Sequence, residues 1–302
     1  MSIKIGTRGS KLALWQANHV KVLLENSGKR AELVLYKTTG DLRQSQPLHT
    51  IGEKGLFTKA LDDALLNGEV DLAVHSAKDV PTVLPDGLII SAYLQREDPR
   101  DVLLALSPEV DLDNLSREFV VGTSSLRRVA LLRHYAPHFK PRDIRGNVDT
   151  RMAKLEAGEY DALVLAYAGV KRMGFTDKIV RKLRVSTFTP AVGQGAIAVM
   201  TNQNNQQVNE MVRSLLNHPV TEDSVKSERS FLRKLEGGCH TPIFALATWV
   251  NGNLSLSGGV AAEDGSTLFR ETIEGPAAHA EKIGVSLAEI ILNKGARKIL
   301  NG

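Results

Sequence analysis

The feature that most limits the folds open to this 302-residue chain is an internal repeat. Lys4-Ile5-Gly6-Thr7-Arg8-Gly9-Ser10 and Val120-Val121-Gly122-Thr123-Ser124-Ser125 both place Gly-Thr and a serine between an apolar run and an amphipathic segment. Gly68-Glu69-Val70-Asp71-Leu72-Ala73-Val74 returns as Gly158-Glu159-Tyr160-Asp161-Ala162-Leu163-Val164. Short apolar runs alternating with helical spacing specify strand–helix–strand units, so the duplication predicts two related α/β lobes with a cleft between them. Helix N-termini offer unpaired N–H groups and the positive end of the helix dipole. Ser10 and Ser124-Ser125 would therefore present two anion sites to that cleft. Taken singly, each serine reads more naturally as an N-cap; the duplicate placement is what points to binding.

Within the first lobe, Val70 to Val74 reads as a buried strand that runs into polar residues. Ligands of open α/β sheets sit beyond the carboxyl ends of the strands, so His75, Ser76, Lys78 and Asp79 are expected to face the cleft. Asp79 is the candidate acid. Lys78 beside it carries the opposite charge, and Val80-Pro81 gives a rigid flank. A turn-forming aspartate accounts for the same position equally well.

Taken in order, the chain predicts a strand over Ile3–Gly6, a helix from Lys11 to Asn26, a strand over Ala31–Lys37 and a mobile loop over Thr38–Gly55. A helix from Leu56 to Asn67 and a strand over Leu88–Leu94 complete the first lobe. Arg96-Glu97-Asp98-Pro99-Arg100-Asp101 reads as a solvated crossing. The second lobe follows with strands at Phe119–Val121, near Asp143–Arg145 and at Asp161–Leu165, and helices over Leu126–Tyr135 and Val148–Ala157. Thr189 to Ala196 is a Gly/Pro-rich return crossing, and Ala196–Thr201 a strand that rejoins the first lobe, so the two crossings form a hinge. A helix over Thr221–Leu235, strands at Ile243–Val250, Leu254–Val260 and Leu268–Ile273, and a helix over Ala277–Asn293 make a small α+β domain. The expected domains are thus 1–95 with about 196–217, 100–190, and 220–302.

Arg8, Arg127, Arg128, Arg145, Arg151 and Arg172 fall at strand ends, turns or early helix positions, several beside glycine. Each alone is an ordinary surface residue. Together they suit a ligand with several carboxylates, because a guanidinium forks onto a carboxylate through two parallel hydrogen bonds. The lone cysteine, Cys239, follows two glycines and precedes His240, a setting for an accessible thiolate acting as nucleophile or attachment point; a partly buried structural thiol is the alternative.

Composition excludes several classes. One cysteine permits no intrachain disulfide and no cysteine-based metal cluster, and the scattered histidines suggest no metal site. No apolar run approaches the roughly 20 residues of a membrane span, and the first ten residues lack a signal-peptide pattern, so a soluble cytoplasmic protein is expected. A net charge of +4 with aromatics not interleaved among basic residues argues for an anionic small molecule and against nucleic acid.

Six motifs carry a family resemblance. Gly6-Thr7-Arg8 with Leu12-Ala13-Leu14, His75-Ser76 with Lys78-Asp79-Val80-Pro81, Gly122 to Arg128, Arg145-Gly146-Asn147-Val148, Pro190 to Gly195, and Glu236-Gly237-Gly238-Cys239 together resemble the porphobilinogen deaminase (hydroxymethylbilane synthase) family over essentially the whole chain. The resemblance implies two type II periplasmic-binding-protein-like lobes with a hinge, plus a small C-terminal domain. It implies a transferase that joins four porphobilinogen molecules head to tail, releasing ammonia each time, to give the linear tetrapyrrole hydroxymethylbilane. The primer is a dipyrromethane cofactor held by a thioether, here on Cys239. By the same match, Asp79 is the catalytic acid; Lys78, Asp79, Ser124, Ser125, Arg127, Arg128, Arg145 and Gly146 bind the cofactor, and Arg8, Ser10, Arg145, Arg151 and Arg172 bind substrate. The family also implies a monomer.

Two rivals share parts of this pattern. A solute-binding protein has the lobes and the anion cleft but normally an export signal and no use for Cys239. A nucleic-acid-binding protein puts arginines on phosphates but needs a contiguous basic face.

Overall fold

A computed structural model describes residues 2–37, 58–237 and 241–300. In chain order the strands are β1 (Ile3–Arg8), β2 (Ala31–Tyr36), β3 (Leu72–Ser76), β4 (Leu88–Tyr93), β5 (Asp101–Ala105), β6 (Phe119–Gly122), β7 (Phe139–Arg142), β8 (Ala162–Ala166), β9 (Ile179–Lys182), β10 (Ile197–Asn202), β11 (Ile243–Val250), β12 (Asn253–Ala261) and β13 (Leu268–Pro276). The chain forms two compact units, Met1–Glu97 with Ala196–Glu222, and Asp98–Gly195 with Asp223–Gly302. Among the described residues, no helix is long and apolar enough to cross a membrane.

The first unit holds a sheet of order β2-β1-β3-β10-β4 and the second a sheet of order β7-β6-β8-β5-β9. In each, the first three strands are parallel and the fourth runs antiparallel between its neighbours. The two orders are the same topology. In both, the antiparallel strand is the one that follows a crossing from the other unit: β10 in the first, β5 in the second.

The repeat seen in sequence is reproduced bond for bond. Gly68 and Gly158 adopt φ of 71° and 75°, the left-handed region that suits glycine, and turn the chain out of the preceding helix. Asp71 then brackets β1, its carboxylate accepting the Lys4 N–H at 2.7 Å while its own N–H reaches the Lys4 carbonyl at 2.9 Å. Asp161 does the same to Val120, again at 2.7 and 2.9 Å. Because Asp71 is used in this way, β3 starts at Leu72 rather than at Val70, the expected start.

Apolar faces close the cores. Ile5, Leu72, Val74, Ile197 and Val199 pack with Ala17, Val20 and Leu24 of the helix Lys11–Asn26. In the second unit, Phe119, Val121, Phe139, Ala162 and Val164 pack with Leu131 of the helix Leu126–Tyr135, and Phe244 and Ala261 of β11 and β12 join that cluster. Burying each such large side chain contributes roughly 1.5–3 kcal/mol. The three-stranded sheet β11-β12-β13 packs on the helices Pro219–Lys234 and Ala280–Ile291 through Phe231, Leu256, Leu287 and Ile291.

Three expectations are corrected. The strand placed near Asp143–Arg145 lies instead at Phe139–Arg142, where Pro141 is tolerated because β7 is an edge strand. Strand β9 was not anticipated. The run Arg96–Asp101 is not wholly a solvated crossing: Asp101 is fully buried and opens β5. The expected mobile loop, Thr38–Gly55, lies outside the described residues.

Candidate active site

In the first unit, β3 leads into Asp79, the candidate acid. After Ser76 the chain makes a single 3-10 turn over Ala77–Asp79. The turn is pinned at both ends: the Ala77 N–H donates to the Ala196 carbonyl at 3.0 Å, and the apolar side chains of Ala77 and Val80 are buried. Lys78 and Asp79 lie between these anchors, half-buried and exposed respectively. A short, doubly anchored turn with a fixed-φ proline after it leaves the backbone at Asp79 little freedom to relax.

Its neighbours are tied into the fold to different degrees. Ser76 exchanges hydrogen bonds with the buried Gln16, which donates at 2.9 Å. Ser10 caps the helix Lys11–Asn26, accepting the Ala13 N–H at 3.3 Å. Arg8 stands half-buried at the end of β1. His75, expected at the open strand end, is instead buried, because β3 is covered on both faces. Burial, and secondarily the Arg8 charge, lower its pKa to about 4, so the imidazole is neutral at physiological pH. Its Nε2 is buried without a hydrogen-bond partner.

The second unit gathers the arginines. The turn before the helix Leu126–Tyr135 is tied to the loop before the helix Val148–Glu156 through Ser124, whose hydroxyl donates to the Ile144 carbonyl and accepts the Ile144 N–H at 3.3 Å. Ser125 occupies the N-cap position without a side-chain cap bond. On the facing loop Arg145 pairs with Asp143 at 3.0 Å. Burial raises the Asp143 pKa, but hydrogen bonds from Ser124 and Arg145 outweigh it and hold the carboxyl below its ordinary value. Arg151 donates through Nε to the Gly146 carbonyl at 2.8 Å. Burial, followed by repulsion from Arg128, pushes Arg151 down to about 10, which leaves it charged at neutral pH. Arg172 donates to the Gly195 carbonyl at 2.9 Å.

Arg127 and Arg128 are deeper than their sequence positions suggest, only 3% and 6% exposed. Arg127 donates to Asp101 at 2.7 Å and to the Thr189 carbonyl at 2.9 Å. Arg128 donates to the other Asp101 oxygen at 2.8 and 3.2 Å and to the Val164 carbonyl at 3.0 Å. Gln194 adds a fourth donor to Asp101 at 2.8 Å. Burial raises the pKa of Asp101, but the Arg127 and Arg128 charges override it and hold the carboxyl well below the carboxylate range. Two guanidiniums on one carboxylate leave a positive charge, and the Nε of Arg127 is buried with no partner.

Sequence reasoning missed Asp101 and Gln194. The signal available was the apolar run Val102-Leu103-Leu104-Ala105, which marks a buried strand with an acid at its head. Cys239 and His240 lie outside the described residues.

Known proteins are similar to this chain over nearly its whole length. Residues 3–210 match the model for "Porphobilinogen deaminase, dipyromethane cofactor binding domain", and residues 223–293 that for "Porphobilinogen deaminase, C-terminal domain". The chain is 46% identical to a porphobilinogen deaminase of Cytophaga hutchinsonii over 99% of this chain and 96% of that one. It is 43% identical to one from Desulfosudis oleivorans over 99% and 97%. The periplasmic aliphatic sulphonate binding protein SsuA from Escherichia coli matches at 14% identity and a TM-score of 0.42, covering 78% of this chain and 70% of that one.

Proposed function

Because the chain belongs to the porphobilinogen deaminase family, we propose that its reaction is carried by Asp79 in the first unit and by the arginine set of the second. The activity is stepwise head-to-tail condensation of four porphobilinogen molecules, with release of ammonia, on a covalently bound dipyrromethane, to give hydroxymethylbilane. The enzyme is a transferase of tetrapyrrole synthesis.

The donor set fits the cofactor. Dipyrromethane carries acetate and propionate arms, and the second unit offers Arg127, Arg128, Arg145, Arg151 and Arg172 with Ser124, Ser125 and Gly146 around two loops. The observation that carries this reading is the Arg127–Arg128–Asp101 cluster, which retains one positive charge and the unpartnered Arg127 Nε. A buried cation edge of this kind calls for an anionic acceptor. When bound, the cofactor supplies the pyrrole that accepts each new unit.

The chain's own residues do the rest. Arg127, Arg128, Arg145 and Lys78, with Ser124, Ser125 and Gly146, hold carboxylates of the primer, and Arg8, Ser10, Arg145, Arg151 and Arg172 hold those of the incoming porphobilinogen. Because Ser10 already caps a helix, its share is through the backbone N–H groups at that helix start. Asp79 is exposed on a pinned turn, placed to stabilise the positive charge that develops on the substrate as ammonia leaves, and to take and return protons at the pyrrole nitrogen. A lysine there would repel that charge. Cys239, within the stretch that matches the family's C-terminal domain, is the attachment point.

The three separate sheets support a division into domains 1–95 with about 196–217, 100–190, and 220–302. We infer that the protein acts as a cytoplasmic monomer. Intact mass tests the reading: wild-type protein exceeds the bare chain by one dipyrromethane, and Cys239→Ser does not. Further increments after adding porphobilinogen establish elongation. A bare wild-type mass that porphobilinogen leaves unchanged would overturn it.

A further inference from the structure

The repeat makes an internal control available. In the first unit the Leu94 N–H donates to the Ile197 carbonyl at 3.0 Å, and in the second the Leu183 N–H donates to the Asp101 carbonyl at 2.9 Å. Ile197 and Asp101 both open the antiparallel strand of their sheet, paired with Ser76 at the end of β3 and Ala166 at the end of β8. The helices that follow the Gly-Thr turns correspond too: counted from the N-caps Ser10 and Ser125, Leu12 and Ala13 stand where Arg127 and Arg128 stand. At the corresponding positions the first unit carries no charge, Ile197 being buried and Leu12 and Ala13 half-buried, whereas the second unit has two buried arginines and a buried aspartate. The topology does not require charge there. Burying three ionised groups is costly, and the equivalent place in the first unit does without them, so the charges in the second unit are there to serve a ligand.

We propose that Asp101 is a positioning residue for the condensation: its fully buried carboxylate fixes Arg127 and Arg128 in one orientation and offsets one of their two charges, so that the pair receives a single ligand carboxylate. This rests on the reading that these arginines hold carboxylates of the cofactor or substrate. Each Asp101 oxygen takes a different guanidinium, Oδ2 from Arg127 and Oδ1 from Arg128, while Gln194 braces Oδ1. Those bonds occupy Nη1 of Arg127 and leave its Nε edge for the ligand. The planar fork loses little further freedom on binding because Asp101 has already ordered it.

The test compares wild type with Asp101→Asn, Arg128→Gln and the double variant Asp101→Asn/Arg128→Gln. Three quantities are read: the fraction of molecules carrying the dipyrromethane mass, the thermal melt, and KM and kcat for porphobilinogen. Asp101→Asn is expected to lower loading or raise KM by about tenfold or more, the scale of a charged hydrogen bond. Where that variant fails to fold, the double variant decides, because it restores the native excess of one positive charge. If Asp101 positions Arg127, the double variant loads or binds more weakly than Arg128→Gln alone, having lost both the second guanidinium and the hold on the first. If Asp101 is only a counter-charge, the double variant outperforms Arg128→Gln, and the inference is overturned. Arg128→Gln with wild-type loading and KM would instead overturn the carboxylate-holding premise itself.

Discussion

Asp79 and Gly169 stand at equivalent points of the two lobes, each three residues beyond a matching strand, β3 ending at Ser76 and β8 at Ala166. The next residue is anchored alike in both, Ala77 to the Ala196 carbonyl and Tyr167 to the Arg100 carbonyl, each at 3.0 Å. After Ala166 the chain continues into a helix over Tyr167–Arg172; after Ser76 it makes one turn and stops at Val80-Pro81. The carboxylate is therefore an addition to this point of the fold and not a requirement of it.

Asp79→Asn is expected to fold, to retain the dipyrromethane mass, and to lose about 10²- to 10⁴-fold in turnover, the range for removing a positioned acid–base group. Steady-state ammonia release measures it. Turnover within a few-fold of wild type would remove Asp79 from the chemistry.

Arg145→Ala is expected to raise KM for porphobilinogen by about ten- to a hundredfold, since hydrogen bonds to charged groups are worth about 1.5–3 kcal/mol. Its side chain is half-buried and its Asp143 partner exposed, so the melting temperature should change little. A large loss of stability at unchanged KM would make the residue structural.

His75 gives a pH dependence with a definite sign. Its pKa is lowered from 6.5 to about 4, so between those values the unfolded chain binds a proton that the folded chain excludes. The stability present above pH 6.5 is lost as pH falls through this window, by about 2–3 kcal/mol at pH 4.5. Urea unfolding of wild type and His75→Gln at pH 7 and 4.5 should show a smaller loss in the variant. Parallel losses would mean that His75 is not the titrating group.

The C-terminal unit offers a packing test. A Cβ at Gly284 would lie 2.2 Å from the Ser227 carbonyl oxygen and 2.7 Å from the Phe231 nitrogen, where two helices meet backbone to backbone. Gly284→Ala should destabilise by about 1–3 kcal/mol, as overpacking does. An unchanged denaturant midpoint would mean that the helix Ala280–Ile291 sits farther away.

How much of this could be read from the chain depended on whether the signal was local. The lobes were legible because Gly-Thr and Gly-Glu-x-Asp each encode a turn and a bracket within a few residues, and the return of β10 to the first lobe followed from one apolar run, although its antiparallel direction did not. Asp79 was legible as the polar end of such a run. Asp101 was not, because its neighbours Asp98, Pro99 and Arg100 make a solvated stretch while the arginines that make its burial tolerable lie 26 and 27 residues away. Strand β7 was misplaced for a related reason: with one buried residue, Phe139, and a proline, only its place at a sheet edge makes it a strand. His75 reads as facing ligand because it is polar and near the carboxyl end of its strand, but β3 is covered on both faces up to that residue.

The borrowed strand in the first sheet has a consequence for how the protein is made. β10 lies between β3 and β4, yet more than a hundred residues separate it from β4. While the ribosome extends the chain, the first lobe waits with two unpaired strand edges until Ile197–Asn202 emerges, whereas the strands of the second sheet, β5 to β9, emerge consecutively. The N-terminal lobe is thus the later of the two to close, and a nascent chain stalled before residue 197 exposes the edges most apt to pair with another molecule.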